Sequence, residues 1–220
     1  MKFKDLDLSK SYTYADYLTW NFFERIELIR GKIFRMSPAP SRYHQEVLGD
    51  LYFLIKRFFI SRGNCRVYIA PFDVRLLLPP HEVKDEDIDT VVQPDICIFC
   101  NRKNLDERGA IGPPDWVIEI LSPSTAKKDK TYKYDLYEFA GVKEYWIFDP
   151  VNKSLTIYSL DEKEKRYWKV GTFSTNQIVQ PILFPELDID LQDIMPDVDL
   201  VEEAWDDVPD DAYGSRCIRM

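Results

Sequence analysis

Apolar residues recur at helical spacing in three parts of the chain, and each part carries its own start or stop signal. Thr13 and Asp16 form a capping-box-like start, in which Asp replaces the usual Glu or Gln. Ser41 begins the longest pattern, an apolar stripe that ends before Gly63. Gly141 follows the last pattern at a typical helix end. The helices are therefore predicted at about 13–23, 41–61 and 127–139.

Short apolar runs bounded by turn residues predict the strands. Two of them flank Arg30-Gly31 and indicate a β-hairpin. Strands interleaved with a few helices are typical of an α/β fold, here a mixed β-sheet flanked by helices. The predicted strands are 26–29, 32–36, 66–78, 95–99, 116–121, 144–148, 154–159, 167–170 and 177–179.

Acidic residues are concentrated near the C-terminal end. The chain has 220 residues and a net charge of −9, but residues 186–211 hold 12 acids and no Lys or Arg. Residues 1–185 keep 26 acids and 27 bases, a net charge of +1, which permits a nucleic-acid partner. We expect one folded domain over 1–195 and a flexible acidic tail over 196–220.

No stretch approaches the 18 apolar residues of a membrane span, so no membrane partner is expected. The first residues, Met1 to Asp5, are rich in charge and lack the apolar core of a secretion signal. These features predict a cytoplasmic protein.

The four cysteines are few and scattered for a disulfide framework. Cys97 and Cys100 have the spacing of zinc ligands, but they fall in an apolar run that predicts a strand. Residues three apart on a strand point to opposite faces, so ordinary buried cysteines are favoured over a zinc site.

Two acids interrupt apolar strands, and both predict chemistry. Asp95 precedes the run 96–99, and Glu119 lies inside the run 116–121. A buried carboxylate is costly unless it is paired or binds a metal ion. If the two strands are neighbours, a divalent cation would relieve the repulsion between the two carboxylates. The alternative is a turn role for Asp95 and a basic partner for Glu119.

A polar ridge is predicted on the helix after Glu119. Asp129, Lys133 and Tyr137 recur every four residues and share one face. Lys133 would lean towards the carboxylates and stabilise negative charge on a phosphate. The alternative is an ordinary salt bridge on a solvated face.

These positions belong to a longer pattern that resembles the Uma-type family of restriction endonucleases in the PD-(D/E)XK nuclease superfamily. The similarity covers roughly residues 12–195 and leaves out the acidic tail. The matching segments are 27–33, 36–40, His44, 70–76, Pro94-Asp95, 114–125, Asp129, Lys133, Tyr137 and 141–150.

The resemblance implies a restriction-endonuclease-like core, with Asp95 and Glu119 as the acidic metal ligands. The superfamily's usual Lys two residues after the Glu is Leu121 here. As in other Uma-type sequences, an amine from the helix replaces it, and Lys133 is the candidate. Asp129 is a further candidate on the same ridge.

Three other polar residues are candidates for the same site: Glu27, His44 and Asp73. Each also has a structural interpretation, namely a pair with Arg30, a helix-cap role and a pair with Arg75. Phosphate contacts are predicted from a lysine cluster at the start of the helix, with the solvated face as the alternative. That cluster is Lys127, Lys128 and Lys130.

The pattern thus predicts an endonuclease that uses Mg²⁺ or Mn²⁺ to hydrolyse DNA, with a homodimer favoured if both strands of a duplex are cut. The second interpretation is a catalytically weak or inactive module that keeps the fold and binds nucleic acid or a protein. Leu121 and the near-neutral body motivate this alternative.

Overall fold

The computed structural model describes residues 3–36, 40–76, 84–123 and 125–195. Its fold is α/β with mixed sheets and packed helices, as predicted. The helices of the described ranges are α1 (Tyr14–Leu18), α2 (Arg42–Arg62), α3 (Ala126–Lys128), α4 (Tyr134–Ala140) and α5 (Leu191–Ile194), with 3₁₀ turns at Phe3–Asp5 and Arg102–Asn104 and a π-helical turn at Asp129–Lys133.

The strands form two six-stranded sheets and one small ladder. The described strands are β1 (Ile26–Ile29), β2 (Lys32–Arg35), β3 (Arg66–Ile69), β4 (Val74–Arg75), β5 (Val91–Val92), β6 (Ile96–Phe99), β7 (Leu105–Asp106), β8 (Gly109–Ile111), β9 (Trp116–Ile120), β10 (Glu144–Asp149), β11 (Ser154–Asp161), β12 (Arg166–Ser174), β13 (Ile178–Val179) and β14 (Ile189–Asp190).

The central sheet has the order β12-β11-β10-β9-β6-β3. Only β9 and β10 are parallel in it, and α3, the π turn and α4 connect them. The second sheet has the order β2-β1-β5-β4-β8-β7, with one parallel pair, β4 and β8. Two mixed sheets therefore replace the single sheet that the sequence predicted.

Strand β9 of the central sheet is buried on both faces. Trp116, Ile118 and Ile120 of β9 pack with the apolar stripe of α2. Val117 and Leu121, on the opposite face, pack with α4 and with side chains of the second sheet. Because alternate residues of a strand point to opposite faces, β9 reads as a continuous apolar run that only Glu119 interrupts.

The predicted boundaries of helix α2, about 41–61, are confirmed to within one residue. The Ser41 side chain accepts a hydrogen bond from the His44 backbone N–H, and Gly63 ends the helix with φ +69°. Helices often end with a residue in the left-handed conformation, and glycine adopts that conformation most easily.

The strand predicted at 66–78 is wrong. The chain leaves the central sheet after β3, passes through a cis Ala70-Pro71 bond, and enters the second sheet as β4. Proline has no N–H to give to a strand ladder, so it cannot lie inside a paired strand. The charged loop predicted up to Arg108 likewise contains β7 and the start of the hairpin with β8.

Helix α1 is shorter than predicted. The capping box of Thr13 and Asp16 is present, but the helix ends at Leu18 instead of Phe23. The Thr19 hydroxyl donates to the carbonyl of Asp16 at 2.6 Å. This hydroxyl competes with the helical ladder, so the following aromatic residues are left outside the helix.

The cysteine prediction is wrong in part. Cys65 and Cys100 form a disulfide that joins the residue before β3 to the residue after β6. Cys97 is buried and free, on the other side of the central sheet. Cys97 and Cys100 thus lie on opposite faces, as the strand spacing predicted, and no zinc pair forms.

No helix in the described ranges is long and apolar enough to cross a membrane. The acidic tail predicted at 196–220 lies outside the described residues.

Gly109 is the position where the second sheet tolerates no side chain. Its φ is +129°, and an added Cβ would overlap the backbone carbonyl oxygen of Asp73. Gly109→Ala should lower the free energy of unfolding by about 2–4 kcal/mol, from strain and overpacking. Urea denaturation measures this change.

Gly49 supplies the control for that experiment, since an added Cβ would meet nothing within 4 Å. Gly49 lies in the middle of α2, so Gly49→Ala should raise the stability by about 0.5–1 kcal/mol. Equal effects of the two substitutions would contradict the packing described at Gly109.

Candidate functional site

Asp95 and Glu119 lie side by side on the central sheet. Strands β6 and β9 are antiparallel with Ile96 opposite Ile118, so Asp95 lies opposite Glu119. The Asp95 backbone N–H donates to Glu119 Oε2 at 3.4 Å, and the Ile120 N–H donates to Asp95 Oδ2 at 2.8 Å. The structure therefore brings together the two acids that the sequence singled out.

The other oxygen of Glu119 is held from the helix side. Lys133 Nζ and the Tyr137 hydroxyl each donate to Glu119 Oε1 at 2.8 Å. All three side chains are buried. Leu121 is also buried and packs in the apolar core, so the amine beside Glu119 comes from the helix and not from the strand.

Glu27 joins the site from the second sheet. It is fully buried on β1. Its Oε1 accepts from the Gln93 N–H at 3.1 Å and lies 2.9 Å from Lys133 Nζ. Its Oε2 accepts from Lys128 Nζ at 2.6 Å. The partner of Glu27 is therefore a pair of lysines, and not Arg30, which lies exposed in the β1–β2 turn.

The π-helical turn explains why two lysines reach one carboxylate. Lys128 and Lys133 are five residues apart, which in a regular α-helix would place them about 140° apart around the axis. The wider turn at Asp129–Lys133 holds one more residue and brings both ammonium groups to Glu27. Single π turns of this kind are frequent at functional sites.

Asp129 is a further buried carboxylate of this cluster. Its Oδ1 lies 3.6 Å from Lys133 Nζ and has no hydrogen-bond partner among the described residues. Burial raises the pKa of Asp129, against the effect of Lys133 and Lys128. An orphaned carboxylate oxygen of this kind indicates that the cluster is short of positive charge.

We call Glu27, Asp95, Glu119, Asp129, Lys128 and Lys133 the acid cluster. If all six were ionised, the four carboxylates and two ammonium groups would leave two unbalanced negative charges. The raised pKa values of Asp129 and Glu119 are consistent with this excess of acidic groups. Burial raises the pKa of Glu119 to about 8; Lys133 opposes this rise, and the neighbouring carboxylates add to it.

Glu27 behaves in the opposite way because it receives both lysines. Burial alone would raise its pKa, but Lys133 and Lys128 lower it to about 2. Lys133 thus remains charged: burial lowers the pKa of this amine, but Glu119, Glu27 and Asp129 raise it well above its usual value. Glu119 and Asp129, whose pKa values are raised, are therefore the carboxyl groups of the cluster that lose a proton least readily in the absence of an added cation.

The donor set around Glu119 fits a hard divalent cation. Mg²⁺ and Mn²⁺ take carboxylate and carbonyl oxygens, and Mg²⁺ often uses only one or two carboxylates, with water and phosphate oxygens as the other ligands. Asp95 and Glu119 supply two carboxylates on adjacent strands. Among residues 3–36, 40–76, 84–123 and 125–195, no three His, Cys, Asp or Glu side chains form a ready-made ligand set.

His44 lies at the edge of the acid cluster. Its Nε2 is 3.2 Å from Asp95 Oδ2, and its backbone N–H donates to the Ser41 side chain. Its Nδ1 is buried without a hydrogen-bond partner in the described part of the chain. The cap role and the contact with the site, which the sequence left as alternatives, are both present.

Asp73 is connected to the acid cluster through Gln93. Its Oδ1 accepts from Gln93 Nε2 at 2.8 Å and from the Tyr17 hydroxyl at 3.3 Å. The expected partner Arg75 instead pairs with Asp106. Gln93, which the sequence analysis did not select, thus links Asp73 to Glu27. Its signal was a polar side chain directly after the apolar pair Val91–Val92.

The three lysines expected to contact phosphate do not form one surface. Lys128 binds Glu27 inside the acid cluster. Lys130 is exposed and lies 3.5 Å from Asp149 Oδ2. Lys127 is exposed as well. The helix therefore divides these side chains between the interior and the solvent.

The comparisons with known proteins identify the family and support the fold. A family model described as "Uma2: Putative restriction endonuclease" matches residues 14–192. A crystal structure described as a putative nuclease belonging to DUF820, from Anabaena variabilis, matches with a TM-score of 0.66 and 22% identity. That match covers 84% of this chain and 97% of the other. No curated protein matches the chain.

Lys133 should be the most sensitive position of the acid cluster. Lys133→Met removes the cation that contacts Glu27, Glu119 and Asp129, and leaves buried carboxylates without compensation. We expect the free energy of unfolding to fall by about 3–5 kcal/mol, measured by urea denaturation. In a Glu27→Gln background the loss should be smaller, because fewer charges are left unpaired.

Lys130→Met is the matched control, three residues away on the same helix. The Lys130 side chain is 53% exposed, compared with 3% for Lys133. Its loss should change the stability by less than about 1 kcal/mol. A similar cost for the two variants would show that the buried ion pairs do not hold this site together.

Proposed function

Because the chain belongs to the Uma2 family, whose members are described as putative restriction endonucleases, we propose that it is a metal-dependent endodeoxyribonuclease that hydrolyses phosphodiester bonds in DNA. One observation carries the proposal: Asp95 and Glu119 meet on adjacent strands beside a buried lysine, in a cluster of four carboxyl groups and two ammonium groups. This arrangement supplies both the ligands and the charge for a divalent cation.

Asp95 and Glu119 would hold Mg²⁺ or Mn²⁺. When bound, such an ion lowers the pKa of a coordinated water and polarises the phosphate. Tyr137 and Lys133 orient Glu119 by fixing its Oε1, so that Oε2 is turned towards Asp95. The Ile120 N–H fixes Asp95 in the same way. The backbone and the helix thus hold both carboxylates in place before substrate arrives.

Lys133 adds the positive charge that the hydrolysis requires. Attack of water on phosphorus places additional negative charge on the phosphate oxygens before the bond to the leaving oxygen breaks. A buried ammonium group beside Glu119 stabilises that charge more strongly than a solvated one would. His44, whose Nε2 lies 3.2 Å from Asp95 Oδ2, is the proposed contact for a phosphate or a water at the edge of the site.

DNA is the proposed substrate, and residues 1–195 the proposed nuclease domain. Cutting both strands of a duplex would require two such sites, which favours a homodimer. Lys127 and Lys130, exposed on the helix next to the acid cluster, are the proposed phosphate contacts outside the reacting centre.

One observation favours a second candidate function, a nuclease-fold module without catalysis. Lys133 and Tyr137 already donate hydrogen bonds to Glu119 Oε1. Leu121 occupies the strand position where the superfamily usually has a lysine, so the strand supplies no amine. Such a module would bind DNA or a protein without needing Mn²⁺. Comparing DNA binding with DNA cutting separates the two functions.

Cleavage of plasmid and single-stranded DNA with Mn²⁺ tests the proposed function. Asp95→Asn and Glu119→Gln keep the side-chain shapes but remove the charge for the ion, so the cleavage rate should fall by at least about a hundredfold. Binding of DNA in EDTA should be little changed. Gel analysis of the products and fluorescence anisotropy measure the two properties.

Asp115→Asn is the control, since Asp115 directly precedes the same strand at its other end and pairs with Lys143. It should cleave at a rate close to that of the unmodified protein. Undiminished cutting by Asp95→Asn or Glu119→Gln would refute the assignment, and the absence of cutting by the unmodified protein would favour the non-catalytic module.

A further inference from the structure

Aromatic residues are concentrated just before β1. Residues 12–23 contain six aromatic side chains in twelve positions, whereas aromatics make up 14% of the chain. Tyr14 belongs to a small apolar cluster, against which Tyr12 and Tyr17 pack. Trp20 and Phe22 are partly exposed, and the Phe23 side chain is fully exposed. Exposed aromatic side chains that lie close together are typical of a binding surface.

Four of these aromatics line a groove of about 280 Å³: Tyr17, Trp20, Phe22 and Phe23. Its polar lining residues are Glu24, Arg25 and Gln93. Trp20 stacks on Phe22, with ring centroids 5.9 Å apart and planes inclined by 22°. The groove therefore offers a flat aromatic surface beside a guanidinium group.

The polar end of the groove leads to the acid cluster. Gln93 Oε1 accepts from Arg25 Nη2 at 3.1 Å, and the Gln93 N–H donates to Glu27 Oε1 at 3.1 Å. Gln93 is also two residues before Asp95, a distance of about 7 Å along an extended chain. A ligand in the groove would thus lie within one or two nucleotides of a phosphate at Asp95.

We infer that the groove holds an unstacked base of a nucleic-acid strand, next to the phosphate at the acid cluster. The inference rests on the proposed function and deepens it, because it names an unpaired strand as the substrate. Base stacking on aromatic side chains and guanidinium groups is the common means of holding unpaired strands. Arg25 and Gln93, two polar residues of the lining, would face the edge of such a base.

Fluorescence anisotropy with a labelled single strand of about 12 nucleotides tests the inference, within the size range of known single-strand sites. EDTA prevents cutting during the measurement. Trp20→Ala and Phe23→Ala should weaken binding by about fivefold or more, as expected for the loss of one stacked base. Trp20→Phe should bind nearly as tightly as the unmodified protein.

An abasic strand of equal length decides whether bases are involved. The unmodified protein should bind it more weakly than the base-containing strand, and the two alanine variants should not weaken it further. Phe53→Ala, at an exposed position of α2 far along the chain, should leave all affinities unchanged. An RNA strand of the same sequence, run in parallel, shows whether the groove accepts either sugar.

The inference fails if Phe23→Ala and Trp20→Ala bind base-containing strands as tightly as the unmodified protein, or if they weaken abasic and base-containing strands equally. Because the Phe23 side chain is fully exposed, its loss cannot act through misfolding. These outcomes are separate from the proposed function, which is decided by metal-dependent cutting in Asp95→Asn and Glu119→Gln.

Discussion

The buried ion pairs of Lys133 are the constraint on which the rest of the site depends. Its ammonium group lies within 3 Å of Glu27 and Glu119, which belong to different sheets. An unpaired buried charge is strongly destabilising. A shift of either sheet would break one of these ion pairs and leave a buried charge without its partner. This contact fixes the helix that connects β9 and β10 against both sheets, and with it the position of Glu119 opposite Asp95.

The same cluster holds four carboxyl groups and two ammonium groups, and burial raises the pKa values of Glu119 and Asp129. Glu27 takes both lysines, whereas Glu119 shares Lys133 and faces Asp95 and Asp129. The divalent cation proposed on the Asp95 side would supply positive charge to these acids.

The sequence predicted the central pair and its amine because their signals are local. Asp95 and Glu119 break apolar strands, and Lys133 recurs at helical spacing. It did not predict the inward position of Lys128, because a π turn leaves no trace in a four-residue pattern. The exchange of sheets at Ala70-Pro71 and the Cys65–Cys100 disulfide depend on tertiary contacts, so spacing alone could not predict them. Gln93 was missed because its importance comes from its partners.

Anomalous diffraction from a crystal soaked in Mn²⁺ tests the central claim most directly. The account predicts a manganese peak between the carboxylates of Asp95 and Glu119, with Lys133 still in contact with Glu27, and no peak there in Asp95→Asn crystals grown and soaked alike. Manganese bound elsewhere would contradict it. A map with no peak at this pair, in which Lys133 and Tyr137 keep their hydrogen bonds to Glu119, would contradict it as well.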